Sequence, residues 1–213
     1  MDFFLSIIDF VLHIDVHLLE IIQNYGTWVY GIVFAIIFAE TGLVVTPILP
    51  GDSLIFALGA FAAKGSLHIW LLFGLLFVAA VLGDAVNYYV GKSTGDLLMK
   101  KYPRIFRPEY IEKTRGFFEK YGGKTIIVAR FIPIVRTFAP FLAGVGHMKY
   151  RDFAMFNIVG ALLWVSIFLV AGYFFGNIPI VTENFSVVIL GIIGISILPP
   201  IVEFIKARKN KKA

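Results

Sequence analysis

Apolar runs of two kinds alternate along this chain. Uninterrupted runs occupy residues 69–91, 153–175 and 185–205, and each is long enough to cross a hydrocarbon core of about 30 Å. Two other apolar stretches, 27–63 and 125–146, contain prolines that would break a spanning helix. The pattern predicts three transmembrane helices and two helical hairpins that enter the membrane and turn back.

The first predicted hairpin places carboxylates at membrane depth. Glu40 lies about 20 Å along the helix that starts near residue 27, at a rise of about 1.5 Å per residue. Asp52 follows the predicted break, which is formed by Pro47, Pro50 and Gly51. A charge at this depth costs roughly 3 kcal/mol on insertion scales. Such a broken, charged segment is therefore expected to face protein or a water-filled cavity.

The second predicted hairpin carries the opposite charge. It contains Arg130 and Arg136 and is expected to be broken by Pro133 and Pro140. Gly144, near its end, is predicted to be a close-packing position. The four charged residues of the two hairpins form one candidate site.

The two hairpins are predicted to be halves of a repeat. Glu40 precedes Pro50 by ten residues and Arg130 precedes Pro140 by ten, so the hairpins are 90 positions apart. If basic loops lie inside, the second hairpin enters from the cytoplasm and the first from the opposite face. The predicted fold is all-α and polytopic. It is an inverted repeat of two re-entrant helical hairpins, each followed by a transmembrane helix, with amphipathic helices and a C-terminal transmembrane helix.

A single membrane domain, 1–206, is expected to hold these elements. Residues 1–25 carry a polar stripe at helical spacing, which is typical of an amphipathic helix at the membrane surface. Residues 92–124 are predicted to form a cytoplasmic amphipathic region, and 207–213 a basic cytoplasmic tail.

Composition agrees with this architecture. The 213 residues are 59% hydrophobic and 15% charged, whereas average proteins contain about 25% charged residues. The net charge of +5 is unevenly distributed: residues 1–63 hold no Lys or Arg, and basic clusters occupy 92–124 and 206–212. This distribution indicates topology and contact with anionic lipids, and no nucleic-acid partner is expected.

The charged constellation has two interpretations. In the functional one, the guanidinium groups of Arg130 and Arg136 bind a phosphate through their forked donors, and Glu40 and Asp52 take up and release protons. In the structural one, Glu40 pairs with Arg130 and Asp52 with Arg136, and the pairs hold the hairpins together. Asp84 is assigned a supporting position, at the cytoplasmic end of its helix, where it is solvated, links two helices or is functional.

Two motifs of membrane enzymes are missing from the sequence, and a third is matched only at its start. Lys100 to Arg107-Pro108 has the Lys-x6-Arg-Pro spacing of lipid phosphatases, but nothing downstream supports that motif. Neither a GxSG serine motif nor HExxH occurs, and no His or carboxylate cluster has metal-ligand spacing. The protein is therefore not predicted to be an enzyme, and it is not expected to bind a metal or a cofactor.

Several long motifs resemble the DedA family of bacterial membrane proteins over about residues 1–206. The motifs are Glu40-Thr-Gly, Pro47-x-x-Pro50-Gly51-Asp52, Gly83-Asp84 with Tyr88, Tyr89 and Gly91, Tyr121-Gly122-Gly123, and Arg130-Phe-Ile-Pro-x-Val-Arg136-Thr137-Phe138-Ala139-Pro140 followed by Gly144. The resemblance implies a multi-pass protein of the bacterial inner membrane. It also implies functional roles for the residues that match Glu40, Asp52, Arg130 and Arg136.

The resemblance further implies a substrate, because some family members return undecaprenyl phosphate, a cell-wall lipid carrier, across the membrane. The leading hypothesis is a flippase for this lipid-linked phosphate, coupled to protons or membrane potential. The alternative is a proton-coupled transporter of a small ion or solute that maintains membrane potential and envelope homeostasis. A non-transport scaffold for envelope assembly is a third hypothesis. The sequence is also compatible with a homo-oligomer.

Overall fold

The computed structural model of the chain describes residues 26–43, 51–102, 106, 108–176, 178 and 191. This part of the chain is helical and contains no strand. Its elements are α1 (Trp28–Gly42), α2 (Gly51–Ala63), α3 (Ile69–Lys101), α4 (Pro108–Tyr121), a 3-10 turn (Gly122–Lys124), α5 (Thr125–Ala129), α6 (Pro133–Val145) and α7 (Tyr150–Phe175). The predictions for 1–25, 207–213, Pro47, Pro50 and nearly all of 185–205 lie outside the described residues.

Two of the described helices are long and apolar enough to cross a membrane. They are Ile69–Gly95, within α3, and Tyr150–Phe175, which is α7. Both expose large apolar side chains along their length, including Leu82 on α3 and Ile158 and Leu162 on α7. Because such surface is unfavourable in water, these faces are suited to lipid. The shorter apolar helices α1 and α2 fall below the length needed to cross.

The helix α3 extends beyond its predicted end. The sequence pattern placed the end of the spanning segment at residue 91, but the helix continues to Lys101. Residues 92–101 are polar yet contain no proline, and the first proline after them is Pro103. A change from apolar to polar composition therefore ended the membrane segment without ending the helix.

The second predicted hairpin is broken at one proline and continuous through the other. Ile132 adopts an extended backbone (φ −124°, ψ 105°) directly before Pro133, which begins α6. The residue before a proline is pushed out of the helical region, and proline is well suited to the first turn of a helix. Pro140, however, lies inside α6, so its predicted break is wrong. It only removes the bond that its missing N–H would make to the carbonyl of Arg136.

The described chain forms two compact units, of which the first comprises residues 26–31, 51–72, 167–176, 178 and 191. Here α2 packs against the end of α7 through glycines. A Cβ at Gly59 would overlap the carbonyl oxygen of Leu169, and one at Gly172 would overlap that of Phe56. The two backbones are therefore in direct contact, as small residues permit between membrane helices.

The second unit comprises residues 32–43 and 73–166 and contains the same kind of joint. Here α6 packs against α3: a Cβ at Gly144 would overlap the carbonyl oxygen of Tyr88, and one at Gly91 would overlap that of Phe141. Phe56 and Gly59 of the first unit correspond to Phe141 and Gly144, 85 positions later. Apolar side chains of α4 pack against the core next to this joint, including Tyr110, Ile111 and Phe118.

Candidate functional site

Two buried ion pairs lie close together in the second unit. The Nη2 atom of Arg136, on α6, donates to Oε1 of Glu40, at the end of α1. The Nη2 atom of Arg130, between α5 and α6, lies 2.6 Å from Oδ2 of Asp84 on α3. Glu40, Asp84 and Arg130 are each no more than 5% exposed. Buried charges are stable only when they are paired in this way.

Arg130 is held by more than its carboxylate. Its Nη2 atom also lies 2.6 Å from Oδ1 of Asn157, on α7, and 3.4 Å from the carbonyl oxygen of Ala80. Asn157 is fixed in turn, because its Nδ2 donates to the carbonyl of Val81 at 3.0 Å. The Nε atom of Arg130 has no hydrogen-bond partner within the described part of the chain. One end of this guanidinium is thus tightly bound while a buried donor remains available.

The indole of Trp164 lies beside both guanidinium groups. The Cζ atoms of Arg130 and Arg136 are 5.8 Å and 5.4 Å from the indole ring, which is buried. A cation within about 6 Å of an aromatic face is attracted by the ring's quadrupole. Trp164 therefore offsets part of the repulsion between two neighbouring cations without adding a charge.

The charged groups surround a cavity of about 10 Å³, which is about the volume accessible to one water molecule. Its lining residues are Glu40, Thr41, Asp84, Ile126, Ala129, Arg130, Arg136, Thr137, Pro140 and Trp164. Two carboxylates and two guanidinium groups give the described part of the lining a formal charge of zero. In this closed arrangement there is no room for a phosphate group.

The pairing differs from the structural alternative drawn from the sequence. Glu40 bonds to Arg136 and Arg130 bonds to Asp84, so the predicted pair of Glu40 with Arg130 is wrong. Asp84 is neither terminal nor solvated, because α3 continues past it and it is 5% exposed. Its burial among partners makes Asp84 a full member of the charged site.

The other predicted site residues have distinct places. Asp52 lies in the first turn of α2, directly after Gly51, and belongs to the first unit. Pro133 begins α6, Pro140 lines the cavity, and Gly144 forms the contact with α3.

Among the neutral residues that sequence reasoning missed are Asn157 and Trp164, which contact the arginines, and Asn87, which is buried next to them on α3. A signal existed for the two asparagines, since each is an amide within an otherwise apolar helix. A buried side-chain amide in such a helix is unfavourable unless it forms a hydrogen bond. Trp164 gave no signal of this kind, because aromatic residues are frequent throughout the chain.

Comparisons with known proteins identify the family. Residues 49–174 match the VTT domain. The chain is 55% identical over 212 residues to Protein DedA of Escherichia coli strain K12, covering 98% of this chain and 97% of that protein. It is 42% identical over 192 residues to an uncharacterized membrane protein of Mycobacterium tuberculosis strain H37Rv, covering 87% and 84% of the two chains. No solved structure matches the chain.

A more distant relative is named for its location. Inner membrane protein YqjA of Escherichia coli strain K12 is 35% identical over 152 residues, which cover 71% of this chain and 69% of YqjA. The names of the mycobacterial relative and of YqjA describe membrane proteins, and none of the three names gives a substrate. With its VTT domain and its near full-length match to Protein DedA, the chain belongs to the DedA family of membrane proteins.

Proposed function

We propose that this protein moves a lipid-linked phosphate across the bacterial inner membrane, coupled to protons, with undecaprenyl phosphate as the substrate. The observation that carries the proposal is the charge-balanced cluster of two arginines and two carboxylates around one small buried cavity. Charged groups inside a membrane domain are costly, and buried pairs contribute little net stability. Four such groups at one place therefore indicate a function other than stabilising the fold.

Arginine suits the phosphate of such a lipid. A guanidinium presents planar, forked donors that match phosphate oxygens and stays protonated at any physiological pH. Arg130 retains a buried Nε donor that has no hydrogen-bond partner in the described structure. The exposed apolar faces of α3 and α7 suit a substrate whose prenyl tail stays in lipid.

The two arginines are proposed to act unequally. The side chain of Arg136 is 16% exposed, against 5% for Arg130. Arg136 is therefore the cation that exchanges its carboxylate for the incoming phosphate. Arg130 stays on Asp84 and adds its charge and its Nε donor to the same anion.

Proton coupling follows from charge balance. An arriving phosphate that takes Arg136 leaves the carboxylate of Glu40 buried without its cation. An isolated buried carboxylate is costly, and it neutralises by binding a proton. Release of the phosphate lets the pair re-form and frees that proton. Asp52 is proposed as a second proton carrier.

The proposed architecture is the inverted repeat of two re-entrant hairpins. Its support is the recurring glycine joint: α2 on α7 in one unit and α6 on α3 in the other, with the same contacts at both. The contact positions are 85 apart on the hairpin arms, and 81 apart on the spanning helices, where Gly91 corresponds to Gly172. Inverted repeats of broken helices are the plan of many secondary transporters.

The alternative is a proton-coupled transporter of a small ion. The observation in its favour is the cavity itself, which at about 10 Å³ matches one water molecule and not a phosphate group. In this alternative, the ion pairs open only far enough to pass a small solute.

The test is transport in sealed liposomes that contain the purified protein and labelled undecaprenyl phosphate. Wild type is expected to move the label between leaflets, and Arg136→Ala to abolish the movement. Arg151→Ala is the matched control, because Arg151 is exposed at the start of α7. If wild type moves no lipid while Arg136→Ala alters only an ion flux, the lipid proposal is wrong and the alternative stands.

A further inference from the structure

Asn87 joins the two helices that carry the Glu40–Arg136 pair. This residue of α3 is fully buried. Its Nδ2 atom donates to the carbonyl of Thr41 at 3.3 Å and to the carbonyl of Thr137 at 3.2 Å. Thr41 directly follows Glu40, and Thr137 directly follows Arg136. One side-chain amide therefore binds the main chain next to both members of the ion pair.

The chemistry of this contact requires a donor with two hydrogens. Both acceptors are main-chain carbonyls, so only the NH2 end of the carboxamide can face them. The Thr41 carbonyl lies in the last turn of α1, where helix carbonyls have no partner within the helix. Asn87 supplies that partner from α3.

The same amide leaves its own oxygen unsatisfied. Asn87 Oδ1 is buried and has no hydrogen-bond partner in the described part of the chain. A buried polar atom without a partner is unfavourable, and an apolar side chain of similar size would avoid it. The amide is thus poorly suited to simple packing and well suited to holding two carbonyls.

The neighbouring turn of α3 also allows the end of α1 to lie close to α3. Gly83 lies four residues before Asn87, on the same face of the helix. A Cβ at Gly83 would overlap the side-chain oxygen of Thr41, and Gly42 lies against the Gly83 backbone. Gly83 lets the end of α1 reach α3, and Asn87 then binds it.

We propose that Asn87 is a positioning residue that holds Glu40 opposite Arg136 and so controls the opening of that pair to substrate. The inference rests on the proposed function for its transport consequence, but its structural part does not. Asn87 touches neither charge. It acts by fixing α1 and α6 to one amide, so that the pair re-forms in the same geometry each time the site empties.

The first experiment measures the position of α1 against α6 directly. The chain contains no cysteine, so Leu43→Cys and Phe131→Cys add the only two sites for spin labels. Both positions are exposed, one just after α1 and the other just before α6. Double electron–electron resonance spectroscopy then measures the distribution of distances between the two spin labels in the purified, folded protein.

The variants separate the donor from the volume of the side chain. Asn87→Asp keeps the size of the side chain and Asn87→Leu keeps its branching, and both remove the NH2 donor. Both are expected to broaden and lengthen the distribution. Asn87→Gln keeps the donor and is expected to retain a narrow component. Ser93→Ala is the control on the same helix, because the Ser93 hydroxyl is exposed and donates to the carbonyl of Tyr89, also on α3. Two variants without the donor are used so that, if one of them misfolds, the other still tests the role of Asn87.

Transport provides the second readout. A misplacement of about 1 Å can cost about 100-fold in rate, so the donor-free variants are expected to lose transport by up to about that factor at equal folded protein. Unchanged distance distributions in Asn87→Leu and Asn87→Asp would overturn the inference. If wild type moves no undecaprenyl phosphate, the proposed function fails, whereas the distances still decide the role of Asn87.

Discussion

Glu40 and Arg136 are 96 positions apart in the chain and directly bonded in the fold. The carboxylate comes from the end of α1 and the guanidinium from the first turns of α6. The pair is unequally buried, with side-chain exposures of 1% for Glu40 and 16% for Arg136. Opening of the pair would therefore uncover the cation first, which is the order that an incoming anion requires.

Glu40→Gln is expected to weaken the pH dependence of transport. The amide keeps the size of the carboxyl group but can neither lose nor gain a proton in the working range. Transport by wild type and Glu40→Gln is compared between pH 5 and pH 9 in liposomes. Glu112→Gln is the control, since Glu112 is exposed on α4. A pH profile of Glu40→Gln identical to that of wild type would remove Glu40 from proton coupling.

Asp84→Asn is expected to destabilise the fold by about 3–5 kcal/mol, because it leaves the buried charge of Arg130 without its anion. The free energy of unfolding in detergent micelles measures this effect. Asp152→Asn, at an exposed position of α7, is expected to stay within about 0.5 kcal/mol of wild type.

A second change at the same pair provides a stricter check. The double variant Asp84→Asn, Arg130→Met removes the unpaired charge and is expected to recover stability relative to Asp84→Asn alone. If the double variant loses as much free energy of unfolding as the two single variants together, Asp84 and Arg130 are not energetically coupled.

Gly91→Ala is expected to destabilise the joint between α3 and α6 by about 1–3 kcal/mol, because the added methyl group meets the Phe141 backbone. Gly74→Ala is the matched control on the same helix. Nothing lies within 4 Å of a Cβ at Gly74, so alanine there is expected to stabilise by about 0.5–1 kcal/mol. Equal effects of the two changes on the free energy of unfolding would contradict the close contact.

Trp164 is expected to report ligand binding by fluorescence. The chain has three tryptophans, of which Trp28 and Trp70 are each 76% exposed and Trp164 is buried beside the arginines. In a Trp28→Phe, Trp70→Phe background, undecaprenyl phosphate should change the emission of the remaining indole. The same lipid added to a variant that also carries Arg136→Ala is expected to give little change. An emission unaffected by the lipid in both backgrounds would argue against a phosphate beside Trp164.

The charged members of the site could be predicted because charge in an apolar run stands out. Glu40, Arg130 and Arg136 were identified as residues that would need partners at membrane depth. Their pairing could not be predicted in the same way. Which carboxylate meets which guanidinium depends on how each helix is rotated and how far it is shifted along its neighbour, and the order of residues contains neither quantity.

The fold shows the same division. Apolar length predicted the two spanning candidates in α3 and α7, since length against membrane thickness is a local property. The continuation of α6 through Pro140 was not predicted. Proline removes one hydrogen bond, and whether the helix survives depends on the packing around it. Here Ala139, Phe141 and Ala143 are all buried.

The glycine joint of the first unit has a consequence for biogenesis. Eleven of the thirteen residues of α2 are buried, and the backbone it lies on, around Gly172, is synthesised 113 positions after Gly59. At about 5–20 residues per second, translation reaches that partner roughly 6–23 s later. During this interval, α2 is too short to cross the bilayer and lacks the helix that covers it. Assembly of the domain therefore waits for α7, and a nascent chain stalled before residue 167 would expose α2 to the quality-control machinery of the membrane.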